Sequence, residues 1–393
     1  MTNTSVDVTG RKRILVTGGA GEMAKYACKA LAAADEVELL VVSDRDEERA
    51  QKLVVDLGSK AQALALDISD EAALSDALSD IDIVLNCAGP FYRFGRQVLN
   101  AAIASGTHYL DICDDWEPTL DMLELDDAAR AAGITAVIGM GSSPGTSNLL
   151  AMLCMNELDT VDRVFTAWRI GGIKPPPPGE EDKPNAARDH WIHNCTEPIK
   201  VRQGGVLVDS YALEEIKLAY PGVGEDSVWV CGHPEPLTLP EVRPEIQESY
   251  NVMVARRGLM EAMQGLAVKV RSGELDVPGA GRAIAHTPNI NGPAAGPAPI
   301  HGYLFAVAEG VADGKGKRVG ASPVILPNAN MGEFTGYPLA VATLMLCRGQ
   351  VGNPGVHGPE GAVDPEIYFE ELATFVDDRP EGVAPVEVVA EAI

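Results

Sequence analysis

Apolar positions in the first 140 residues alternate between short unbroken runs and longer stretches of helical spacing. The run at 14–16 ends in glycines and passes directly into residues 23–34, an alanine-rich stretch with a helical repeat. Short apolar runs read as buried strands, and apolar residues at i, i+3 and i+4 read as amphipathic helices. The opening is therefore strand, tight turn, helix. The same alternation predicts strands at 37–42, 61–66, 81–86, 108–112 and 135–139, with helices at 47–57, 71–78, 97–105 and 120–132. Such spacing implies crossover units and a parallel sheet. Ligands of these sheets bind outside the carboxyl ends of the strands. Gly19, Asp44, Asp67, Asn86 and the segment after Ile112 all fall there.

The pattern changes at Gly139-Met140-Gly141-Ser142-Ser143-Pro144-Gly145-Thr146. A helix at 147–157 is followed by strand-like runs at 163–170, 205–208 and 228–230. Pro/Gly-rich connectors separate them, including 175–178, a stiff extended segment. Residues 249–263 read as a helix, 277–299 as loop, and 302–309 with 317–322 as a hairpin around Asp313-Gly314. Apolar 337–348 and residues 366–375 of the acidic tail are the last helices. The expected architecture is α/β: a Rossmann parallel-sheet domain over residues 1–145 and an α+β domain over 146–339.

Composition narrows the partners. A chain of 393 residues with 46% hydrophobic content supports two or three domains with sizeable cores. Its net charge of −26 repels phosphate backbones and anionic lipid, so neither nucleic acid nor membrane is an expected partner. Seven dispersed cysteines without a C-x-x-C pair read as reduced thiols of a cytoplasmic protein. The apolar run behind Arg11-Lys12-Arg13 is too short for a signal peptide. His190 and His193 share a face if helical but lack further ligands, so no metal is expected.

Gly19-Ala20-Gly21-Glu22-Met23-Ala24 fits G-x-G-x-x-A, the phosphate-binding turn of a dinucleotide fold. Here Gly19 is expected to make the sharp turn, Gly21 to admit the pyrophosphate, and Ala24 to let the helix sit close to the strand. Asp44 follows Gly21 at about the 20-residue offset of the acid that binds the adenosine ribose hydroxyls. The expected cofactor-binding set is Gly18, Gly19, Ala20, Gly21, Glu22 and Met23, then Asp44, Arg45, Asp67 and Ile68. Asn86, Cys87, Ala88, Gly89 and Pro90 complete it along the nicotinamide ribose. Asp44 points to NAD, since it repels the 2′-phosphate of NADP; Arg45 keeps NADP open as the alternative. No tyrosine is followed four residues later by lysine, which removes the acid–base pair of short-chain dehydrogenases.

Asn86-Cys87-Ala88-Gly89-Pro90-Phe91, a helix, then Gly106-Thr107-His108-Tyr109-Leu110-Asp111 with Asp114-Asp115 behind it, resembles the saccharopine dehydrogenase-like family in its reductase branch (saccharopine reductase, carboxynorspermidine dehydrogenase). The segments Gly141–Asn148, Gly232-His233-Pro234-Glu235-Pro236, Thr335-Gly336-Tyr337-Pro338-Leu339 and Gly355-Val356 also look like family signatures. The resemblance implies an NAD(P)-dependent oxidoreductase that transfers hydride at a carbon–nitrogen bond of an amino-acid-derived amine or imine. It assigns the substrate site and a dimer interface to the α+β domain at 146–339, and implies a homodimer whose C-terminal residues 340–393 pack back on the nucleotide domain. By position, His233, Asp111, Asp114 and Asp115 are the catalytic candidates, and Arg169 is the candidate for a substrate carboxylate. A carbonyl/alcohol oxidoreductase and a non-catalytic dinucleotide-binding scaffold or sensor are the alternatives.

Overall fold

Strands and helices alternate from Lys12 to Val137. They are β1 (Lys12–Thr17), α1 (Ala24–Ala33), β2 (Val37–Asp44), α2 (Glu47–Leu57), β3 (Ala61–Ala65), α3 (Glu71–Leu78), β4 (Ile83–Asn86), α4 (Phe91–Ser105), β5 (His108–Asp111), α5 (Trp116–Leu123), α6 (Asp126–Ala132) and β6 (Thr135–Val137). The computed structural model describes residues 10–170, 186–286, 302–327 and 330–393, with backbone alone for 186–190. α2 and α3 start where aspartates take up orphan helix amides. Asp46 accepts from Arg49 N, and Asp70 accepts from Ala72 N and Ala73 N. α4 begins earlier than its periodicity suggested, because the amides of Arg93 and Phe94 already close on Pro90 O. The expected helix at 120–132 is two helices, broken at Glu124-Leu125.

The next elements are α7 (Thr146–Asn156), β7 (Thr160–Arg169), α8 (Ala186–Thr196), β8 (Pro198–Gln203), β9 (Val206–Tyr211), β10 (Glu215–Tyr220), β11 (Gly224–Cys231), α9 (Glu235–Val242) and β12 (Glu248–Val254). α10 (Arg257–Arg271), α11 (Val277–Ala285), β13 (Leu304–Ala312), β14 (Lys315–Pro323), α12 (Met331–Cys347), β15 (Gly355–His357), α13 (Pro359–Ala362), α14 (Pro365–Ala373) and β16 (Val386–Ala392) complete the chain.

The first sheet has seven strands in the order β15-β6-β5-β4-β1-β2-β3. Its pairings are parallel. Six of its strands follow the doubly wound order of dinucleotide-binding folds, with β1 beside β4 at the point where strand order reverses. Ile14, Leu15, Val16 and every residue of β4 are buried, as strands covered on both faces require.

The second sheet has nine strands and mixed pairing: β12 runs parallel to β7, whereas β10–β11, β11–β12, β7–β13 and β13–β14 are antiparallel. The hairpin at Asp313-Gly314 forms with both residues at positive φ, as a two-residue turn between twisted strands demands. The helix expected at 249–263 is corrected to strand β12 followed by α10. Ser249–Val252 lie between neighbours on both edges and are buried on both faces, which erases the alternation that marks a strand. Part of the loop expected at 277–299 is helix α11, capped by Asp276; the rest, like 175–178, lies outside the described residues.

The chain divides into two units, Met1–Leu153 with Val324–Val386, and Cys154–Pro323 with Glu387–Ile393. Residues 340–386 group with the first unit, and β16 joins the second sheet. Within the first unit α12 crosses close over the start of α1. A Cβ on Gly336 would lie 2.5 Å from Met23 O, and one on Gly332 would enter the Tyr26 ring. Tyr337 meets Tyr26 edge-on at 5.8 Å.

Candidate active site

β1 ends at the buried Thr17, and the chain turns at Gly18 with φ of +62°. A Cβ there would sit 2.9 Å from Cys87 O and 3.0 Å from Ala88 Cα, so the turns after β1 and β4 meet backbone to backbone. The sharp turn expected at Gly19 thus belongs to Gly18. Gly19 instead packs where a Cβ would meet Val42 Cγ1 at 2.8 Å, and its N–H donates to Ser43 O. A Cβ on Gly21 would meet Gly18 O at 3.0 Å, and one on Gly89 has no described heavy atom within 4 Å. Met23, the N-cap of α1, offers no side-chain cap. Lys25 N donates to Gly21 O at 3.1 Å and Tyr26 N to Met23 O at 3.2 Å. The positive end of the helix, beside Gly21 and Gly89, fits a pyrophosphate. Glu22 turns away to Lys25 at 2.7 Å, and Ala20 O accepts from the Arg49 guanidinium at 2.8 Å.

Asp44 closes β2, where its Oδ1 accepts the amide of Asp46 at 3.0 Å, and the exposed Arg45 follows it. Asp67, after β3, accepts the amide and hydroxyl of Ser69. These bonds, with Arg45 and Arg93 nearby, hold its carboxyl below the usual range. The Ile68 side chain is buried, and its carbonyl receives Gln97 Nε2 at 2.7 Å.

Asn86 ends β4 and organises the next turn: its Oδ1 accepts from Ala88 N at 3.2 Å and from Thr17 Oγ1 at 2.8 Å. Its Nδ2 donates to Tyr109 Oη at 3.2 Å. Tyr109 donates in turn to Asp111 Oδ2 at 2.7 Å, while Asp111 Oδ1 accepts from the amides of Cys113 and Gly139. Burial pushes the Asp111 carboxyl up to about 6 against the pull of these bonds. Asp111 has no exposed surface, and its partners are backbone amides and Tyr109. Asp114 and Asp115 are half-buried on the segment after β5. The Asp115 side chain does not cap α5. Thr17 and Tyr109 had been passed over as strand residues, although Tyr109-x-Asp111 puts hydroxyl and carboxylate on one side of a strand.

The second unit carries its own buried polar cluster. Thr166 and Trp168 share one side of β7, and β12 sets Asn251 opposite Thr166. Asn251 Oδ1 accepts from Trp168 Nε1 at 2.9 Å, and its Nδ2 donates to Thr166 Oγ1 at 3.0 Å and Glu235 Oε1 at 2.8 Å. His233 stacks on Trp168 with ring centroids 5.6 Å apart, and its Nδ1 stands 3.8 Å from Glu235 Oε2. Glu235 is fully buried, and His233 nearly so. Gly232 lets this segment press on Ile199, which a Cβ would strike. Arg169, next to Trp168 at the end of β7, is half-buried, and burial lowers the affinity of its guanidinium for its proton. Asn251 lies within the segment whose spacing suggests a helix, so its pairing with Thr166, Trp168 and Glu235 is not visible in the sequence. His193 is exposed on α8, and the side chain of His190 lies outside the described residues. Among the described residues no three His, Cys, Asp or Glu side chains gather as metal ligands, and no helix is long and apolar enough to cross a membrane.

Residues 14–137 match the saccharopine dehydrogenase NADP binding domain family. Saccharopine dehydrogenase (NADP(+), L-glutamate-forming) of Saccharomyces cerevisiae is 30% identical over 183 residues, covering 46% of this chain and 38% of that protein. Saccharopine dehydrogenase-like oxidoreductase of Rattus norvegicus is 39% identical over 117 residues, 29% of this chain and 27% of that protein. The matches thus span less than half the length of these curated relatives. Among solved structures, apo saccharopine dehydrogenase (L-Glu forming) from Saccharomyces cerevisiae aligns with a TM-score of 0.62 at 18% identity, over 97% of this chain and 100% of that one. Homospermidine synthase from Legionella pneumophila aligns with a TM-score of 0.59 at 10% identity, over 97% and 91%. Parallel sheet, glycine cradle and family match agree on residues 14–137 as a domain similar to the saccharopine dehydrogenase NADP binding domain, and the chain shares its fold with apo saccharopine dehydrogenase.

Proposed function

We propose that this chain is an NAD(P)-dependent oxidoreductase acting at a carbon–nitrogen bond of an amino-acid-derived amine or imine. The observation that carries the reading is the stack of His233 on Trp168 beside Glu235, with Arg169 adjacent. It pairs a proton-transfer group with a cation suited to a carboxylate, the two functions an amino-acid substrate needs. When bound, the nicotinamide cofactor supplies the hydride chemistry. Gly21, Gly89 and the positive end of α1 hold the pyrophosphate, with Gly18 setting the turn that leads to them. Asp44 takes the ribose hydroxyls and favours NAD, although the matched domain family is named for NADP. His233 moves the proton at the reacting nitrogen through its imidazole. Within the second unit Arg169 is the candidate for a substrate carboxylate; within the first, Asp114 and Asp115 are the candidates for a cationic group. The yeast relative, a saccharopine dehydrogenase, supports carbon–nitrogen chemistry. A homodimer in the cytoplasm completes the proposal.

The test is a titration with NADH and NADPH followed by a reductive screen of amino acids with keto acids, run beside simple ketones. Oxidation of reduced cofactor with an amino acid plus a keto acid supports the reading. Turnover of ketones alone moves the chain to carbonyl chemistry, and tight cofactor binding with no turnover of either class makes it a scaffold.

A further inference from the structure

We infer that Asp111 is a positioning residue for dinucleotide binding, its carboxylate anchoring a one-way hydrogen-bond chain that fixes the turns after β1, β4, β5 and β6. The inference rests on the dinucleotide reading of the glycine turn and gives Asp111 no contact with cofactor or substrate.

The direction of the chain follows from backbone donors. Ala88 N–H can only donate, so the Asn86 atom facing it is the oxygen. Asn86 Nδ2 therefore faces Tyr109 Oη and donates to it. The tyrosine proton is then directed to Asp111 Oδ2. The other carboxylate oxygen collects two more amides, Cys113 at 3.0 Å and Gly139 at 2.6 Å. Thr17, Asn86, Tyr109 and Asp111 are all fully buried, so no water substitutes for a lost member. Every donor points toward the carboxylate. A proton on Asp111 Oδ2 would meet Tyr109 Oη, which already accepts from Asn86, and would turn the tyrosine hydrogen toward Met122 Sδ at 3.8 Å. The titratable neighbours are Tyr109 on the same strand, Cys113 and Asp114 beyond it, and Cys87 after β4.

The link to the cofactor is mechanical. Ala88 is held by Asn86, and Gly18 packs against Ala88 and the Cys87 carbonyl. Loosening Asp111 releases Asn86, then the 86–90 turn, then the phosphate turn.

The experiment is calorimetric titration of the full-length chain with NADH and NADPH from pH 5 to 8, for wild type, Asp111→Asn and Tyr109→Phe, with thermal melting of each. Both variants are expected to melt cooperatively and to bind the preferred dinucleotide roughly tenfold more weakly at pH 7.5, a loss of about 1.4 kcal/mol. Wild-type affinity should fall as pH drops through about 6, whereas Asp111→Asn should lose this dependence. Tyr109→Phe, which removes one hydroxyl, keeps the test decisive if Asp111→Asn fails to fold. Unchanged affinity in a cooperatively melting variant, or the wild-type pH profile retained in Asp111→Asn, overturns the inference. Wild type that binds neither dinucleotide overturns instead the reading on which it rests.

Discussion

Tyr109 and Asp111 stand two residues apart on one strand, and the tyrosine hydroxyl donates to the carboxylate at 2.7 Å with both side chains fully buried. The pair spends stability on order. Burial raises the carboxyl from 3.8 to about 6, so its stabilising contribution is complete below the unfolded value and is lost as pH rises through about 6. A shift of about two units corresponds to roughly 3 kcal/mol. Wild-type stability should therefore fall relative to Asp111→Asn as pH rises from about 4 to 7, by up to that amount. Urea unfolding of both proteins across this range checks it; a constant difference would show that Asp111 does not titrate there.

The two glycines of the phosphate turn should separate by phenotype. Gly18→Ala puts a side chain at positive φ against Cys87 O, and should cost about 1–3 kcal/mol of stability. Gly21→Val brings its branched Cβ into the space assigned to the pyrophosphate, close only to Gly18 O among described atoms. It should abolish dinucleotide binding with a smaller change in melting temperature. Undiminished binding by Gly21→Val would remove the assignment of that turn.

Cofactor choice turns on the end of β2. With Asp44 on the ribose hydroxyls, NAD should bind more tightly than NADP, and Asp44→Ser should narrow the gap. A wild-type preference for NADP of tenfold or more, about 1.4 kcal/mol, would transfer recognition to Arg45 and its exposed neighbours.

His233 and Glu235 should differ in degree. His233→Gln removes the proton-transfer group and should lower kcat by about 10²–10⁴. Glu235→Gln retains the size and the acceptor for Asn251 but exchanges the carboxyl oxygen 3.8 Å from His233 Nδ1 for an amide. It should lower kcat by less than His233→Gln while leaving the melting temperature nearly unchanged. Full activity in His233→Gln would rule out its role as the relay.

The sequence by itself determined the parallel-sheet unit and the place of its ligand face. Unbroken apolar strands, helical repeats and strand-end glycines are local consequences of burial on two faces and of backbone sterics, and each is written in a few adjacent residues. It also singled out Asn86, Asp111 and His233 as polar groups at strand ends. Only the tertiary structure decided what surrounds them. Asp111 became enclosed because Tyr109 on its own strand, held by Asn86 of β4, and the Gly139 amide after β6 converge on it, and a charge's role depends on what replaces its water. Gly18 rather than Gly19 took the left-handed turn because the segment after β4 fills the space beside it. Asn251 emerged beside Glu235 only once β12 lay between β11 and β7, since strand pairing joins residues that no local period relates.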